Sequence, residues 1–314
     1  MKVLGIECTA HTFGVGIFDS EKGVLANEKV TYKGYGIHPR EAAELHLKEF
    51  DKVLLKALEK ANISLKDIDL IAVSSGPGLL PTLKLGNYIA VYLGKKLNKP
   101  VIGVNHIVAH NEFARYLAKA KDPLFVYVSG ANTQFLAIVN NSWFLVGETL
   151  DMGVGNLIDK VARDLGLEFP GGPKIEELAK KGKNLIELPY TIKGLNLQLG
   201  GIYTYIKRIK DQYSKEDIAY SLQEWVFALI LEIAERAMHM LDKKELILTG
   251  GVACNNRLND MAEQMAKENN FKFYRLPCQY LTDNGAMIAY LGYYWYSQGI
   301  YYEPKPRPYW RIWI

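Results

Sequence analysis

Apolar and polar positions alternate with period two in VLGIE and again in FGVGIFDS, with a loop of small and polar residues, CTAHT, between them. Successive side chains of a strand face opposite ways, so this spacing predicts a β-hairpin at the start of the chain. Residues 123–141, PLFVYVSGANTQFLAIVNN, repeat the plan: a strand, a loop of Ser, Gly, Asn and Thr, and a second strand. A supersecondary unit that occurs only twice predicts a duplicated domain, not a solenoid.

After each hairpin the period changes. EAAELHLKEFDKVLLKALEKAN sets Ala43, Leu47, Phe50, Leu54 and Leu58 on one stripe, the pattern of a helix packed on a sheet. IDLIAVSSGPGLL reads as a buried strand running into a Gly-Pro-Gly turn, TLKLGNYIAVYLGKKL as a helix, KPVIGVN as a strand and HIVAHNEFARYLAKA as a helix. DIAYSLQEWVFALILEIAERAMHML predicts a long helix with a wide, largely buried apolar face. ELILTGGVACNN follows as a strand, a Gly-Gly turn and an Asn pair opening another helix. Strand and helix alternate, so the fold class is α/β. The proline-rich, aromatic tail YYEPKPRPYWRIWI cannot be helical throughout and is expected to lie along a surface.

A length of 314 residues suits two domains. Hydrophobic content of 49% and charged content of 23% are ordinary for a soluble enzyme. No apolar run reaches the length of a bilayer span, and MKVLGIECTAH lacks the apolar core of a signal peptide. A cytoplasmic location away from any membrane is therefore expected. Cys8, Cys254 and Cys278 form no CxxC pair, so neither a disulfide nor a thiolate zinc site is expected, and each reads as a small buried residue. The net charge of +4 is compatible with a nucleic-acid partner without requiring one. The basic groups Lys95, Lys96, Lys99 and Lys207, Arg208, Lys210 read as solvated helix faces.

Three loops after apolar strands, CTAHT, SGANT and TGGVACNN, combine small residues with hydroxyl or amide side chains. Glycine lets backbone approach a ligand closely, and successive N–H groups form an anion-binding concavity. A helix N-terminus after Gly251 would add positive dipole character. Together the loops predict a nucleotide cleft. GxGxxG is absent after the first strand and GxxxxGK[ST] is also absent, which argues against a Rossmann site and a Walker A loop.

NHIVAH places His106 and His110 four apart near a helix start, so their imidazoles point the same way. A zincin peptidase would carry a general-base Glu beside the first histidine, but Ile107 stands there. A catalytic metal needs at least a third protein ligand; the alternative is one capping and one buried histidine. His11, His38, His46 and His239 show no ligand spacing. Asp159 and Glu176 are candidates to accept hydrogen bonds from ribose hydroxyls, or else pair with Lys160 and Lys174. In YLTDNGAMIAY, Thr282, Asp283 or Asn284 is expected to cap a helix, with metal ligation as the sharper role for Asp283.

In order along nearly the whole chain stand GIECTAHTFGVGI, GIHPREAAELH, GPGLLPTLKLG, NHIVAHNE, YVSGANTQ, DMGVGNLIDKVAR, GGPKIE, DIAYSLQE, GGVACNNRL and TDNGAMIA. This series resembles the universal tRNA N6-threonylcarbamoyladenosine transferases, the TsaD-type family that includes the catalytic subunit of the KEOPS complex. ECTAHT resembles the archaeal and eukaryotic branch. The resemblance implies an actin-like α/β fold of two duplicated domains around a nucleotide cleft. Residues 1–120 plus 285–314 would form the first domain, and 121–284 the second, with a helical insertion. It implies one iron or zinc ion held by His106, His110, Tyr127 and Asp283. Tyr127, Val128, Ser129, Gly130 and Ala131 would lie along the substrate, Asp159, Gly172 and Glu176 would hold the nucleoside of an adenine nucleotide, and Asn255 its phosphate side. The implied reaction moves a threonylcarbamoyl group from threonylcarbamoyl-AMP to an adenosine next to the anticodon of tRNA, beside KEOPS partners that include a small atypical protein kinase. The helices around residues 41–60 and 82–97 are candidate docking surfaces.

The chain departs from the family at several places. Ala131 replaces a glycine, at a cost of about 1 kcal/mol if the position requires positive φ. LQLGGIYT replaces a Phe-Ser-Gly run, Leu45–His46 a His pair, and Leu80 a small residue. Rival readings are a metallopeptidase and an ATP-binding regulatory module or small-molecule kinase on the same superfold. The missing glutamate argues against the first. A kinase would show a dedicated acidic base and Mg²⁺-directed carboxylates.

Overall fold

The computed structural model describes residues 1–34, 36 and 38–311. Two compact units emerge, Met1–Phe113 with Asp283–Ile312, and Ala114–Thr282.

In the first unit, β1 (Lys2–Glu7), β2 (Thr12–Asp19) and β3 (Gly23–Thr31) form an antiparallel meander. Then come α1 (Pro39–Ala61), β4 (Leu70–Gly76), α2 (Leu80–Leu97), β5 (Val101–Asn105) and the start of α3 (His106–Ala118). The sheet order is β3-β2-β1-β4-β5, with β4 parallel to both β1 and β5. The second unit has β6 (Pro123–Val128), β7 (Thr133–Val139) and β8 (Ser142–Glu148). There follow α4 (Val154–Asp164), α5 (Gly171–Ala179), the short pair β9 (Ile192–Lys193) and β10 (Asn196–Leu197), α6 (Gly200–Ile209) and α7 (Lys215–Met240). The unit ends with β11 (Glu245–Thr249), α8 (Asn256–Glu268), β12 (Lys272–Tyr274) and α9 (Cys278–Leu281). Its sheet, β12-β11-β6-β7-β8, repeats the plan of the first: a meander whose first strand is continued by two parallel strands. Each sheet has its own apolar core. The last helix, α10 (Gly285–Ser297), belongs to the first unit.

Local chemistry sets the element ends. Pro39 sits in the first turn of α1, where its missing N–H costs nothing. Asn62 and Asn98 close α1 and α2 in the left-handed conformation, at φ 52° and 53°. Asn284 caps α10 by accepting from Met287 N, which settles the choice among Thr282, Asp283 and Asn284. Ala131 is not among the positive-φ residues, so alanine brings no left-handed strain there.

Two expectations need correction. Leu47 is 58% exposed. The buried face of α1 is Ala42, His46, Val53, Leu54, Ala57 and Leu58, because the helix packs on β2 and β3 and also on α2. Cys254 and Cys278 form a disulfide, with Cα atoms 5.0 Å apart, while Cys8 is a buried free thiol. The two half-cystines stand 24 residues apart, and only the packing of α9 against the 3-10 turn Gly251–Cys254 joins them. Among the described residues, no helix is long and apolar enough to cross a membrane. Residues 301–311 of the tail are non-helical and fasten to the first unit: Arg307 N donates to Ser75 O at 2.6 Å and Gly103 N to Tyr302 O at 2.8 Å.

Glycine permits α10 to touch the sheet. A Cβ on Gly5 would lie 2.8 Å from Ala289 Cα, one on Gly16 2.5 Å from Ala286 Cα, and one on Gly285 2.7 Å from Val15 Cα. These neighbours are backbone and cannot rotate away. Gly16→Ala is therefore expected to destabilise the protein by about 1–3 kcal/mol, read from urea unfolding, whereas Gly172→Ala, whose Cβ meets nothing within 4 Å, should be close to neutral.

His46 is fully buried, with its ring tilted against Phe13 at a centroid distance of 5.5 Å. Burial pushes its pKa down to about 4, with the charge of His11 adding and Glu7 and the His11 backbone opposing. The unfolded chain takes up this proton first as pH falls. The contribution is intact above the ordinary value of 6.5 and is lost between there and about 4. His46→Leu should flatten the loss of stability between pH 7 and pH 4.5 by up to about 3 kcal/mol, measured by unfolding at both values.

Candidate metal centre

Because β1, β4 and β5 are parallel, their C-terminal ends share one edge of the first sheet. Glu7 ends β1 and Asn105 ends β5. The Asn105 side chain caps α3, its Oδ1 accepting from Ile107 N at 3.0 Å and Val108 N at 3.1 Å. Its Nδ2 donates to Trp310 O at 3.2 Å, so the tail helps fix the cap. His106 opens α3, and His110 lies one turn further on. Their rings stand edge to face, 4.7 Å apart. The glycine contacts of α10 hold the third member, Asp283, next to the Asn284 cap.

His106, His110 and Asp283 present donor atoms that all lie within 4.8 Å of one another. Asp283 Oδ1 stands 3.2 Å from His110 Nε2 and 3.6 Å from His106 Nε2. Both histidines are buried, at 6% and 2% exposure. Two imidazole nitrogens and one carboxylate oxygen suit zinc or ferrous iron, whereas magnesium and calcium prefer oxygen ligands throughout. The donor set therefore fits the ion that the resemblance implies.

Electrostatics tie the group together. Burial opposes the charged form of His106, but Glu7 and Asp283 outweigh it and push the imidazole up to about 9. Burial, helped by the charge of His106, lowers His110. Burial would raise Asp283, yet the hydrogen bond with His110 and the charges of His106 and His110 hold its carboxyl well below the usual range. Lys29 on β3 donates from Nζ to Asp283 O at 3.0 Å. Its own pKa is lowered by burial, against the pull of Asp283 and Glu7. Glu7 and Lys29 have no role in the sequence reading, and Thr9 enters it only as part of the CTAHT loop. A glutamate ending an alternating strand looks like any polar-face residue, and only the fold shows that it is buried.

The remaining candidates lie in the second unit. Tyr127 is buried at 3% on β6, opposite Thr249 of β11. The loop after β6 is pinned to the first turn of α4: Gly155 N donates to Ser129 O at 3.0 Å and Asn156 N to Gly130 O at 2.9 Å. A Cβ on Gly155 would lie 2.7 Å from Gly130 Cα. Gly250 takes φ 89° where its Cβ would meet Val128 C at 2.8 Å. The Gly-Gly turn thus packs directly on the strand end beside Val128, Ser129, Gly130 and Ala131. Asp159 Oδ1 accepts from Gly171 N at 2.8 Å, and Glu176 Oε1 from Asn256 N at 2.9 Å and Asn256 Nδ2 at 3.0 Å. Asn255 caps α8 through Leu258 N and donates from Nδ2 to Gln223 Oε1 at 2.9 Å. Both ends of its side chain thus shape the loop. Gly172 faces open space.

Residues 23–290 match the family described as TsaD, tRNA N6-adenosine threonylcarbamoyltransferase. The chain is 49% identical over 304 residues to the tRNA N6-adenosine threonylcarbamoyltransferase of Thermococcus sibiricus, covering 96% of this chain and 93% of that one. It is 46% identical over 303 residues to a probable bifunctional tRNA threonylcarbamoyladenosine biosynthesis protein of Thermoplasma volcanium, covering 96% of this chain and 57% of that one. Among solved structures, T. kodakarensis HypF superposes with a TM-score of 0.64 at 16% identity, covering 95% of this chain and 48% of HypF. Component A of the (R)-2-hydroxyglutaryl-CoA dehydratase of Acidaminococcus fermentans gives 0.59 at 15% identity, covering 94% and 98%. At those identities the likeness carries the fold alone, which is the actin-like fold. With the match spanning both units, the chain belongs to the tRNA N6-adenosine threonylcarbamoyltransferase family.

Proposed function

We propose that this chain transfers the threonylcarbamoyl group from threonylcarbamoyl-AMP to N6 of the adenosine next to the anticodon in tRNAs reading ANN codons, releasing AMP. Membership of the family carries this reading. In the reaction the N6 lone pair attacks the carbamoyl carbon, and the bond from that carbon to the AMP phosphate oxygen breaks. AMP leaves with the electron pair, and N6 gives up a proton. The amine is a weak nucleophile, so holding both reactants in register supplies much of the acceleration.

His106, His110 and Asp283, with Tyr127 as a fourth ligand, would hold a zinc or iron ion, whose chemistry is to polarise the carbamoyl oxygen and offset charge developing there. The donor set of the first unit supports this. In the second unit, the loop from Tyr127 to Ala131 would line the acyl adenylate. Its backbone N–H groups would stabilise charge on the departing phosphate. Asp159, Gly172 and Glu176 would take the nucleoside, with Gly172 leaving the space for it. Asn255 would act on the phosphate side by shaping its loop. Accessory subunits, among them a small kinase as in KEOPS, would dock on α1 and α2. Those helices leave Leu47, Leu55, Tyr88 and Tyr92 exposed, at 58%, 64%, 72% and 58%, more apolar surface than a solvated helix face needs. A cytoplasmic location fits a tRNA substrate. A peptidase reading lacks its general base, since Ile107 stands beside His106.

The test follows labelled threonine into tRNA, with threonylcarbamoyl-AMP and partner subunits supplied. The wild type should label tRNA, and His106→Ala should lose activity by about 100-fold or more. No label from the assembled wild type would contradict the transferase. Equal label from both proteins would keep the transferase and remove the metal from its mechanism.

A further inference from the structure

Glu7 has no exposed surface. A buried carboxylate is costly unless it is fully hydrogen-bonded or paired, so its partners reveal its task. Oε1 accepts from Thr9 N at 2.7 Å and from Thr9 Oγ1 at 2.5 Å. Oε2 lies 2.9 Å from His106 Nδ1. An ionised carboxylate only accepts, so the ring nitrogen facing it carries the hydrogen. The other nitrogen, Nε2, is the one facing Asp283, at 3.6 Å.

We propose that Glu7 is the positioning residue of the metal centre: it fixes the His106 tautomer and ring orientation so that Nε2 presents its lone pair to the ion. The inference rests on the metal reading above and adds a residue to it. Thr9 acts behind Glu7 by fixing the carboxylate, and the end of β1 thereby becomes part of the site. A carboxylate behind a metal-bound imidazole orients the ring and raises its basicity, and such partners are typically worth 10–100-fold in metal affinity.

Glu7→Gln is the discriminating variant because it keeps the volume. Thr9 N still needs an acceptor, which draws the amide oxygen to that side and turns the amide NH2 toward His106. Nδ1 must then accept, and the hydrogen moves to Nε2, where it blocks the metal. Zinc affinity is measured by competition with a chromophoric chelator, alongside the melting temperature of the metal-free protein. Histidine-labelled, zinc-loaded wild type is examined by ¹H–¹⁵N NMR. The expected results are zinc affinity lowered about 10–100-fold in Glu7→Gln, a metal-free variant that still unfolds cooperatively but at a lower temperature, because a buried ion pair is lost, and a protected His106 Nδ1–H signal in the wild type. Wild-type zinc affinity in Glu7→Gln would overturn the inference alone. So would a wild-type spectrum with the hydrogen on Nε2, which decides the matter even if the variant does not fold. Failure of the wild type to bind zinc or iron would overturn the underlying metal reading, and this inference with it.

Discussion

The backbone-to-backbone approach of α10 to β1 and β2 is the constraint on which the site depends. Gly5, Gly16 and Gly285 remove the side chains that would separate helix from sheet. Without that approach Asp283, one residue before the Asn284 cap, would stand away from the strand ends. The same edge receives His106 from the other direction, because β5 runs parallel to β4 and leads directly into α3. His110 and Asp283 are 173 residues apart in the chain and 3.2 Å apart in space.

Convergence brings an electrostatic problem with it. Glu7 and Asp283 place two carboxylates in a largely dry region, where unpaired charge is expensive. His106 and Lys29 supply positive charge, and hydrogen bonds from Thr9 and His106 to Glu7 and between His110 and Asp283 satisfy the carboxylate oxygens. A dication suits this arrangement because it can take the Nε2 side of the imidazoles while Glu7 keeps its bond to Nδ1. The polar network and the close-packed helix thus depend on each other: packing sets where the charges lie, and pairing makes their burial tolerable.

Much of this was legible in the sequence. Both hairpins were readable because period-two alternation is a local signal, and the single-period helices followed for the same reason. The His106–His110 pair declared its common face by its spacing alone. Asp283 did not: its sequence context offered capping or metal ligation, and only the resemblance of TDNGAMIA to a family motif grouped it with the histidines. Glu7 stayed hidden because alternation tells which residues share a face, not which polar residue becomes buried at a strand end. Leu47 misled for a related reason. It completes an apolar stripe, yet α1 meets the sheet and α2 through the Ala42–His46–Val53 side instead. The Cys254–Cys278 disulfide depends on contact between two short elements, which no sequence spacing conveys.

The central claim is that the strand ends of the first unit build a metal centre from nitrogen and oxygen donors. X-ray absorption of the protein loaded with zinc or iron tests it most directly. The account predicts one ion per chain with two imidazole nitrogens and at least one oxygen in its first coordination sphere. An ion bound through sulfur, or one retained undiminished after replacement of both His106 and His110, would contradict it.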